Sequence, residues 1–187
     1  MTTIRKFCCN DFLRLSTVNL ERFTITHGVE GYRHFLAWWP QYFLVAEAPG
    51  NRIMGFVMGQ TQEFDYPHGH INEMAFASEY RSKQFVKNLM NHLEDIFDYT
   101  DAAYFVDFHV STSKSSTIKM FEEFDYVIYR RRERYFRGTE DALNMRKALS
   151  RDTTKKSLIP FRDKNSRAPP GELYTAIDEN EADKDEF

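Results

Sequence analysis

The feature that most constrains the fold is a pair of apolar runs joined by a turn. Residues 42–48 (YFLVAEA) are followed by Pro49, Gly50 and Asn51, and residues 53–60 (IMGFVMGQ) resume the apolar pattern. Runs of this length, bounded by Pro, Gly and Asn, are typical of two β-strands connected by a tight turn. The sequence therefore predicts a β-hairpin here, and a chain that contains it must build a sheet.

The rest of the chain alternates between strand and helix patterns. Apolar residues recur at spacings of three and four over 85–97, which is typical of an amphipathic helix. Further strands are predicted at 3–7, 71–76, 104–110 and 126–136, and further helices near 11–20, over 29–38 and over 115–124, with a helix-compatible segment at 142–150. This order predicts an α/β (α+β) fold, a mixed central sheet flanked by helices on both faces.

Length and charge suggest one domain with a tail. The 187 residues exceed the roughly 150 of an average domain but are too few for two. We predict a domain at 1–137, an extension at 138–160 and a disordered acidic tail at 161–187. The net charge is −3, and the last ten residues hold six acids and one Lys, so the remaining chain is close to neutral. That balance argues against binding dominated by nonspecific contacts to nucleic acid.

The only two cysteines, Cys8 and Cys9, are adjacent in the sequence. Neighbours on an extended strand point to opposite faces, so this pair suits neither a disulfide nor a metal site. The first residues contain no long apolar segment, and no run approaches 18 apolar residues. These observations predict a cytoplasmic protein with no membrane partner.

Four sequence blocks carry a resemblance to a known family. A strand, a loop beginning with Arg81, a long helix and a parallel strand resemble the Gcn5-related N-acetyltransferases, the GNAT superfamily. The blocks MTTIRKF at 1–7, WPQYFLVAEAPGNRIMGFVMG at 39–59, HGH at 68–70 and MRKALSRDTTKKSLIP at 145–160 are similar to the catalytic subunits of the N-terminal acetyltransferase B complex, NatB. The last block is the most specific, because the acetyltransferase fold does not require it.

The resemblance implies a protein N-terminal acetyltransferase. Such an enzyme moves acetyl from acetyl-CoA, its cosubstrate, to the α-amino group of nascent proteins that start with Met followed by Asp, Glu, Asn or Gln. The amine attacks the thioester directly in a ternary complex, without a metal. The implied partners are a helical-repeat auxiliary subunit and, through it, the ribosome. The alternative is a divergent paralogue that retains the fold but acts as a binding or regulatory subunit with weak or no catalysis.

The resemblance also implies the cofactor-binding residues. Phe76 is the expected catalytic position on the central strand, where a backbone N–H holds the oxyanion. The expected acetyl-CoA contacts are Met74, Ala75, Phe76, Arg81, Ser82, Lys83, Gln84, Phe85, Val86, Lys114 and Phe121. The family pattern differs at five of them: the second Arg, the Gly and the small residue of the loop are Ser82, Gln84 and Val86, and a later Asn and Tyr are Lys114 and Phe121. The Leu-Gly-Tyr that usually follows is Phe124-Asp125-Tyr126.

These departures predict slowed catalysis as much as lost catalysis. A non-glycine residue forced into a left-handed conformation at Gln84 costs about 1–2 kcal/mol, or roughly tenfold in affinity. Loss of a positioned acid at Phe121 costs on the order of 10²–10⁴ in rate. A thiolate with a pKa of about 8.5 is nevertheless a fair leaving group, and part of an α-amino group with a pKa of about 8 is already neutral.

On the peptide side, the resemblance implies contacts from His27, Tyr32, His70, Asn72, Tyr135 and Phe136. His70 is the expected catalytic residue, as a water-relay base or a donor to the substrate, and it and Asn72 can both donate to an acidic or amide second residue. The aromatic side chains suit an apolar slot for the initiator Met. The family residues at positions 25, 27 and 72 are acidic, Tyr and Thr, whereas this chain has Ile25, His27 and Asn72.

Two motifs have competing interpretations. His68 and His70 have the spacing of metal ligands on a strand, but no third ligand accompanies them and the reaction needs no metal. Residues 130–137 (RRRERYFR) combine five arginines with two aromatic residues. This pattern is compatible with RNA stacking, or with a solvated strand face next to a peptide-binding hairpin.

Overall fold

The computed structural model describes residues 2–18, 29–63, 66–80 and 82–160. The strands are β1 (Thr3–Lys6), β2 (Phe43–Ala48), β3 (Arg52–Glu63), β4 (Pro67–Phe76), β5 (Phe105–Ser111), β6 (Val127–Phe136) and β7 (Glu140–Ala148). The α-helices are α1 (Val29–Trp38), α2 (Lys83–Tyr99) and α3 (Ser115–Glu122). Short 3-10 helices cover Cys9–Thr17, Pro40–Tyr42, Ser78–Tyr80 and Lys156–Leu158.

The strands form one mixed sheet in the order β1-β2-β3-β4-β5-β7-β6. The β4–β5 pair is parallel, and the other neighbouring pairs are antiparallel. The predicted hairpin is confirmed as β2 and β3. Gly50 and Asn51 take φ angles of 83° and 62° in its turn, a left-handed conformation that these two residue types adopt at little cost.

Helices cover both faces of the sheet, as the sequence predicts. On one face Leu89, Leu93 and Phe97 of α2 pack in a core that also includes Phe121 of α3. On the other face Tyr32 and Phe35 of α1 pack in a second core that includes aromatic residues of β2 and β3. The sheet thus separates two cores, and the central strands β4 and β5 run between them.

Two predictions of local structure were wrong. The segment 142–150 is helix-compatible in composition, but it forms β7, whose residues pair with β5 on one side and β6 on the other. Pairing along both edges of the strand outweighs a helix propensity of at most a few tenths of a kcal/mol per residue. The helix predicted near 11–20 is a 3-10 helix over Cys9–Thr17 in its described part.

The predicted domain boundaries stay predictions. The division at residue 137 falls in the connection between β6 and β7, and β7 is an inner strand of the same sheet. The tail at 161–187 lies outside the described residues.

Replacing Gly69 by Ala is expected to destabilise the fold. A Cβ at this position would lie 2.4–2.7 Å from three ring atoms of Phe97, which is fully buried. Overpacking of this kind costs about 2 kcal/mol in the free energy of unfolding, or roughly 4–8 °C in Tm for a chain of this length. Thermal denaturation of the wild type and of Gly69→Ala measures this shift in Tm. A Phe97→Leu change should lower the free energy of unfolding less in the Gly69→Ala background than in the wild type. Equal losses in the two backgrounds would contradict the steric explanation.

Candidate active site

The parallel strands β4 and β5 separate halfway along their length. Their pairing runs from His68 opposite Phe105 to Ile71 opposite Phe108 and then stops, although β4 continues to Phe76 and β5 to Ser111. Beyond Ile71, the described residues provide no strand on the β5 side of β4. Backbone donors along an open strand edge are available to a ligand. Met74, Ala75 and Phe76, three of the predicted acetyl-CoA contacts, lie on this open end.

A β-bulge changes the direction of the side chains in β4. Met58 and Gly59 of β3 pair with Glu73 and Ile71, so that Asn72 is an extra residue. After such a bulge the alternation of side chains is shifted by one residue. His70 and Glu73 therefore face the same side of the sheet, the side covered by α1. Asn72 is half-buried, and its buried Oδ1 has no hydrogen-bond partner within the part of the chain that the structure describes.

His70 is paired with a buried carboxylate. The parallel register places Asp107 opposite it, and its Nδ1 lies 2.7 Å from Asp107 Oδ1. The second oxygen, Oδ2, accepts from Asn144 Nδ2 at 3.2 Å and from an Arg146 nitrogen at 3.4 Å. Burial alone would raise the pKa of Asp107, but the hydrogen bond from His70 and the positive charges of His70 and Arg146 lower it well below its usual range.

The ionised Asp107 fixes the orientation of His70. A carboxylate only accepts, so His70 Nδ1 carries the hydrogen and donates it to Asp107. In the neutral form of the ring, the other nitrogen, Nε2, holds the lone pair that can accept a proton. The His70 side chain is 14% exposed, and it lies one residue before the pairing of β4 with β5 ends at Ile71. This arrangement is that of a general base held in one tautomer by a neighbouring acid.

Arg146 is held between two aromatic rings. Its guanidinium carbon lies 3.8 Å from the ring centre of Phe105 and 3.6 Å from that of Tyr129. One of its terminal nitrogens donates to the carbonyl of Ser157 at 2.9 Å. The family-specific block at 145–160 thus contributes to the site, since its Arg146 reaches the carboxylate that orients His70.

A second histidine lies beside His70. The rings of His70 and His109 are 5.5 Å apart, and His109 stacks on Tyr135 at 4.4 Å. Both ring nitrogens of His109 are buried without a partner in the described ranges. Burial, and then the positive charge of His70, lowers the pKa of His109 to about 3. His109 is therefore neutral at physiological pH.

On the α1 side, Tyr32 is bound to an acid that the sequence analysis missed. The Tyr32 hydroxyl donates to Glu73 Oε1 at 2.8 Å, and both side chains are buried. Burial and the charge of Glu73 raise the pKa of Tyr32 far above its usual range. The bond joins α1 to the bulged part of β4.

The beginning of α2 supplies the predicted cofactor loop. Ser82 caps the helix, and its hydroxyl accepts from Phe85 N at 3.3 Å. The N–H groups of the first helical turn have no intrahelical partner, which makes them suitable for a pyrophosphate. Lys83 forms an ion pair with Glu123 at 2.7 Å, and Gln84 donates to Asn88 at 2.8 Å.

The remaining loop residues lie around this helix start. Phe85 contacts Phe76 edge to face at 5.8 Å, and Val86 is buried in the core under α2. Arg81 lies outside the described residues.

The expected strain at Gln84 is absent, and a strained residue lies elsewhere. Gln84 is helical and is not among the described residues with positive φ. Asp125, at the position of the family's Gly in Leu-Gly-Tyr, has a φ of 70°. This chain thus has a left-handed non-glycine residue at the position where the family has glycine.

Replacing Asp125 by Gly is expected to stabilise the protein by about 0.5–1 kcal/mol. Glycine adopts a positive φ without the steric penalty that a side chain carries, although Asp tolerates it better than most residues. Chemical denaturation measures the difference in the free energy of unfolding. An Asp125→Ala variant is the control, because it should have a lower free energy of unfolding than the wild type, since Ala tolerates this φ less well than Asp.

The other predicted contacts of acetyl-CoA lie at α3. Lys114 is the N-cap residue of α3. Phe121 is fully buried among Phe108, Phe124 and Tyr126, with ring centres 4.5–5.6 Å away. In this structure the Phe121 ring is a core residue, and it carries no hydroxyl with which to protonate a thiolate.

The late hairpin brings the other predicted peptide contacts to the same region. Tyr135 is 36% exposed and stacks on His109, and Phe136 packs edge to face against Tyr135 at 5.1 Å. The structure thus brings Tyr135 close to His70 through His109, and it places Tyr32 on the same side of the sheet, where it binds Glu73. His27 lies outside the described residues.

Sequence reasoning missed Asp107, His109, Glu73 and Arg146. The signal for Asp107 was present, since an acid in the middle of the apolar run FVDFHV has to be paired. Its partner depends on the β4–β5 register, which the sequence alone does not provide. No group of three or more candidate metal ligands occurs in the described residues.

Comparison with known proteins gives a consistent result. Residues 12–126 match the model of the Acetyltransferase (GNAT) family. The chain is 53% identical to the N-terminal acetyltransferase B complex catalytic subunit NAA20 of Arabidopsis thaliana, over 87% of this chain and 94% of that protein.

Solved structures agree with these sequence matches. The structure is similar to Chaetomium thermophilum Naa20 in complex with a bisubstrate analogue, with a TM-score of 0.76 and 31% identity over 88% of this chain and 94% of that chain. It also resembles a chain of the NatB acetyltransferase complex bound to CoA and MES, with a TM-score of 0.71 and 28% identity over 79% and 99% of the two chains.

Proposed function

Because this chain belongs to the GNAT acetyltransferases, and within them to the NatB catalytic subunits, we propose that it acetylates protein N-termini from acetyl-CoA. Its substrates are nascent proteins that start with Met followed by Asp, Glu, Asn or Gln. The Arabidopsis thaliana and Chaetomium thermophilum relatives are both named Naa20, and each match covers most of this chain. The observation in the fold that supports this function best is the His70–Asp107 pair beside the open end of β4.

The chemistry follows from these two features. Nε2 of His70 accepts a proton from the substrate's α-ammonium group, and the neutral amine attacks the thioester carbon. The attack forms the C–N bond and a tetrahedral oxyanion, which collapses as the C–S bond breaks. The CoA thiolate leaves, and the second proton that the nitrogen has to lose passes through solvent to this thiolate, which gives the amide and CoA-SH. The oxyanion that develops on the carbonyl meets backbone donors on the open edge of β4 near Phe76.

The direct test is acetylation of a Met-Asp peptide by the chain co-purified with its auxiliary subunit. The expected result is transfer that depends on acetyl-CoA and is lost in His70→Ala. Saturable stabilisation by acetyl-CoA in a thermal-shift assay is measured in parallel. Stabilisation without transfer would favour a binding or regulatory subunit. The absence of both at millimolar acetyl-CoA would refute the proposed acetyltransferase function.

We propose the NatB auxiliary subunit as the partner, because similar chains have been solved within NatB acetyltransferase complexes. Large apolar side chains are exposed on the side of α1: Leu13 is 86% and Trp38 is 68% exposed. Such residues on a surface favour a protein contact. Replacing both by Ser should abolish co-purification with the auxiliary subunit while the fold is retained. Undiminished co-purification would show that this surface does not contact the auxiliary subunit.

The same proposal includes a cytoplasmic location at the ribosome, through the auxiliary subunit. Cys8 and Cys9 are exposed free thiols, which a reducing compartment tolerates. Within the described residues, no helix is both long and apolar enough to cross a bilayer. Cosedimentation of the tagged complex with ribosomes tests the location, and recovery only in ribosome-free fractions would contradict it.

A further inference from the structure

The hairpin of β6 and β7 carries arginines that adjoin the His70 site. We name Arg130, Arg132, Arg134 and Arg137 the arginine ridge. From His70 a chain of rings leads to it: His109 is 5.5 Å from His70, Tyr135 is 4.4 Å from His109, and the Arg132 guanidinium lies 5.8 Å over the Tyr135 ring. The ridge is therefore continuous with the place where the substrate's amine reacts.

The four positive charges of the ridge outnumber the neighbouring acids Glu133, Glu140 and Asp141. None of its four arginines forms an ion pair in the described residues, whereas the intervening Arg131 is paired with Asp141. Arg130 is half-buried, and its Nε is buried without a partner in the same part of the chain. Burial, and then repulsion from Arg132, lowers the pKa of Arg130. An anion placed here would relieve this repulsion.

The backbone that carries the ridge has a defined turn. Arg134 and Arg137 have φ angles of 52° and 53°, conformations that are unfavourable for a residue with a side chain. The Asp141 carboxylate stabilises this turn, because its Oδ1 accepts from Arg134 N at 2.9 Å and its Oδ2 accepts from Arg131 Nε at 2.9 Å. A backbone that is already ordered at the turn lowers the entropy cost of binding a ligand there.

We propose that the arginine ridge binds acidic side chains at about the third to fifth positions of the substrate, and so selects N-termini that are acidic beyond the second residue. This inference rests on the proposed function. The steps from His70 to His109, to Tyr135 and to the Arg132 guanidinium set an upper limit of roughly four to five residues of extended chain on the distance from the reacting amine to the ridge. Continuity with His70 favours a peptide over RNA, and Glu133, Glu140 and Asp141 interrupt the basic surface.

The experiment compares two peptides acetylated by the complex with its auxiliary subunit. Both start with Met-Asp, and one continues with Glu-Glu-Glu where the other has Gln-Gln-Gln. We expect a kcat/KM roughly three- to tenfold higher for the Glu peptide, mainly through KM, and a smaller ratio at high ionic strength. An Arg132→Gln/Arg134→Gln double variant should bring the ratio close to one.

A matched control removes two positive charges at the other end of the sheet. Arg151→Gln/Lys155→Gln has the same change in net charge, and its ratio should remain that of the wild type. Equal kcat/KM for both peptides in the wild type, or an equal loss of preference in the control, would overturn the proposal. Loss of RNA binding in the ridge variant with an unchanged peptide ratio would assign the ridge to RNA instead. If neither peptide is acetylated, the proposed function fails first.

Discussion

Replacing Asp107 by Asn is expected to lower kcat on a Met-Asp peptide by about 10²-fold or more. Asp107 Oδ2 accepts from two donors, Asn144 and Arg146. An amide nitrogen in its place would face those donors, so the amide turns its nitrogen toward His70 instead. His70 Nδ1 then becomes the acceptor, the hydrogen moves to Nε2, and the lone pair that takes the substrate's proton is lost.

The measurement separates this effect from loss of the fold. The KM for acetyl-CoA and the stabilisation by acetyl-CoA should stay within about twofold of the wild type, because Asp107 lies away from the loop that begins α2. In a parallel His70→Ala variant, added imidazole should restore part of the activity, which a purely structural histidine would not show. An Asp107→Asn enzyme with wild-type kcat, or no rescue of His70→Ala by imidazole, would show that the His70–Asp107 pair is not the general base.

The sequence predicted the mixed sheet with helices on both faces because its signals are local. The apolar runs that became β2 and β3, the turn at Gly50 and Asn51, and the spacing of Leu89, Leu93 and Phe97 each depend on a few neighbouring residues. Such patterns reflect burial, which the residues themselves largely determine.

The parts that were missed depend on contacts between distant segments. The segment that forms β7 contains good helix formers, yet residues 142–148 pair with β5 and residues 142–146 pair with β6. His70 was predicted as a site residue, but its orientation comes from Asp107, 37 residues later. Arg146 reaches the same carboxylate from the family-specific block. The resemblance identified that block without indicating what it does.

The backbone at Gln84 shows that a missing motif residue does not by itself imply strain. The loss of the loop glycine at Gln84 predicts a strained backbone, but a helical start needs no positive φ there. A glycine can instead be required for space, because a side chain would occupy the path of a phosphate. The structure therefore changes the expected effect of Gln84 from strain in the free protein to crowding of the bound cosubstrate.

The second large effect is expected on stability, from Asp11 near the N-terminus. Its carboxylate is fully buried and accepts from Arg5 at 2.7 and 2.8 Å, from Arg14 at 3.1 Å and from Cys8 N at 2.9 Å. The same arginines reach Glu47 on β2, so the cluster joins β1, the first 3-10 helix and the sheet.

Replacing Asp11 by Ala should therefore lower the free energy of unfolding by about 3 kcal/mol, because it removes one partner of a buried ion pair. For a chain of this length that corresponds to a Tm lower by roughly 6–12 °C. Glu30→Gln is the matched control, since its pair with Arg33 is exposed and should contribute no more than about 0.5 kcal/mol. Equal losses in the two variants would contradict the role of burial.

The pH dependence of the Asp11 contribution has a definite sign. Burial would raise the pKa of Asp11, but the hydrogen bonds from Arg5 and Cys8 outweigh it and lower the pKa from 3.8 to about 2. A carboxyl group with a lower pKa in the folded state stabilises the protein fully above its unfolded value and loses that contribution as the pH falls through the folded one. The difference in stability between the wild type and Asp11→Asn should therefore be constant above about pH 5 and shrink from about pH 4 to pH 2. Because the carboxyl groups outside this cluster titrate alike in both proteins, a difference that stays constant down to pH 2 would show that Asp11 is not held ionised by its arginines.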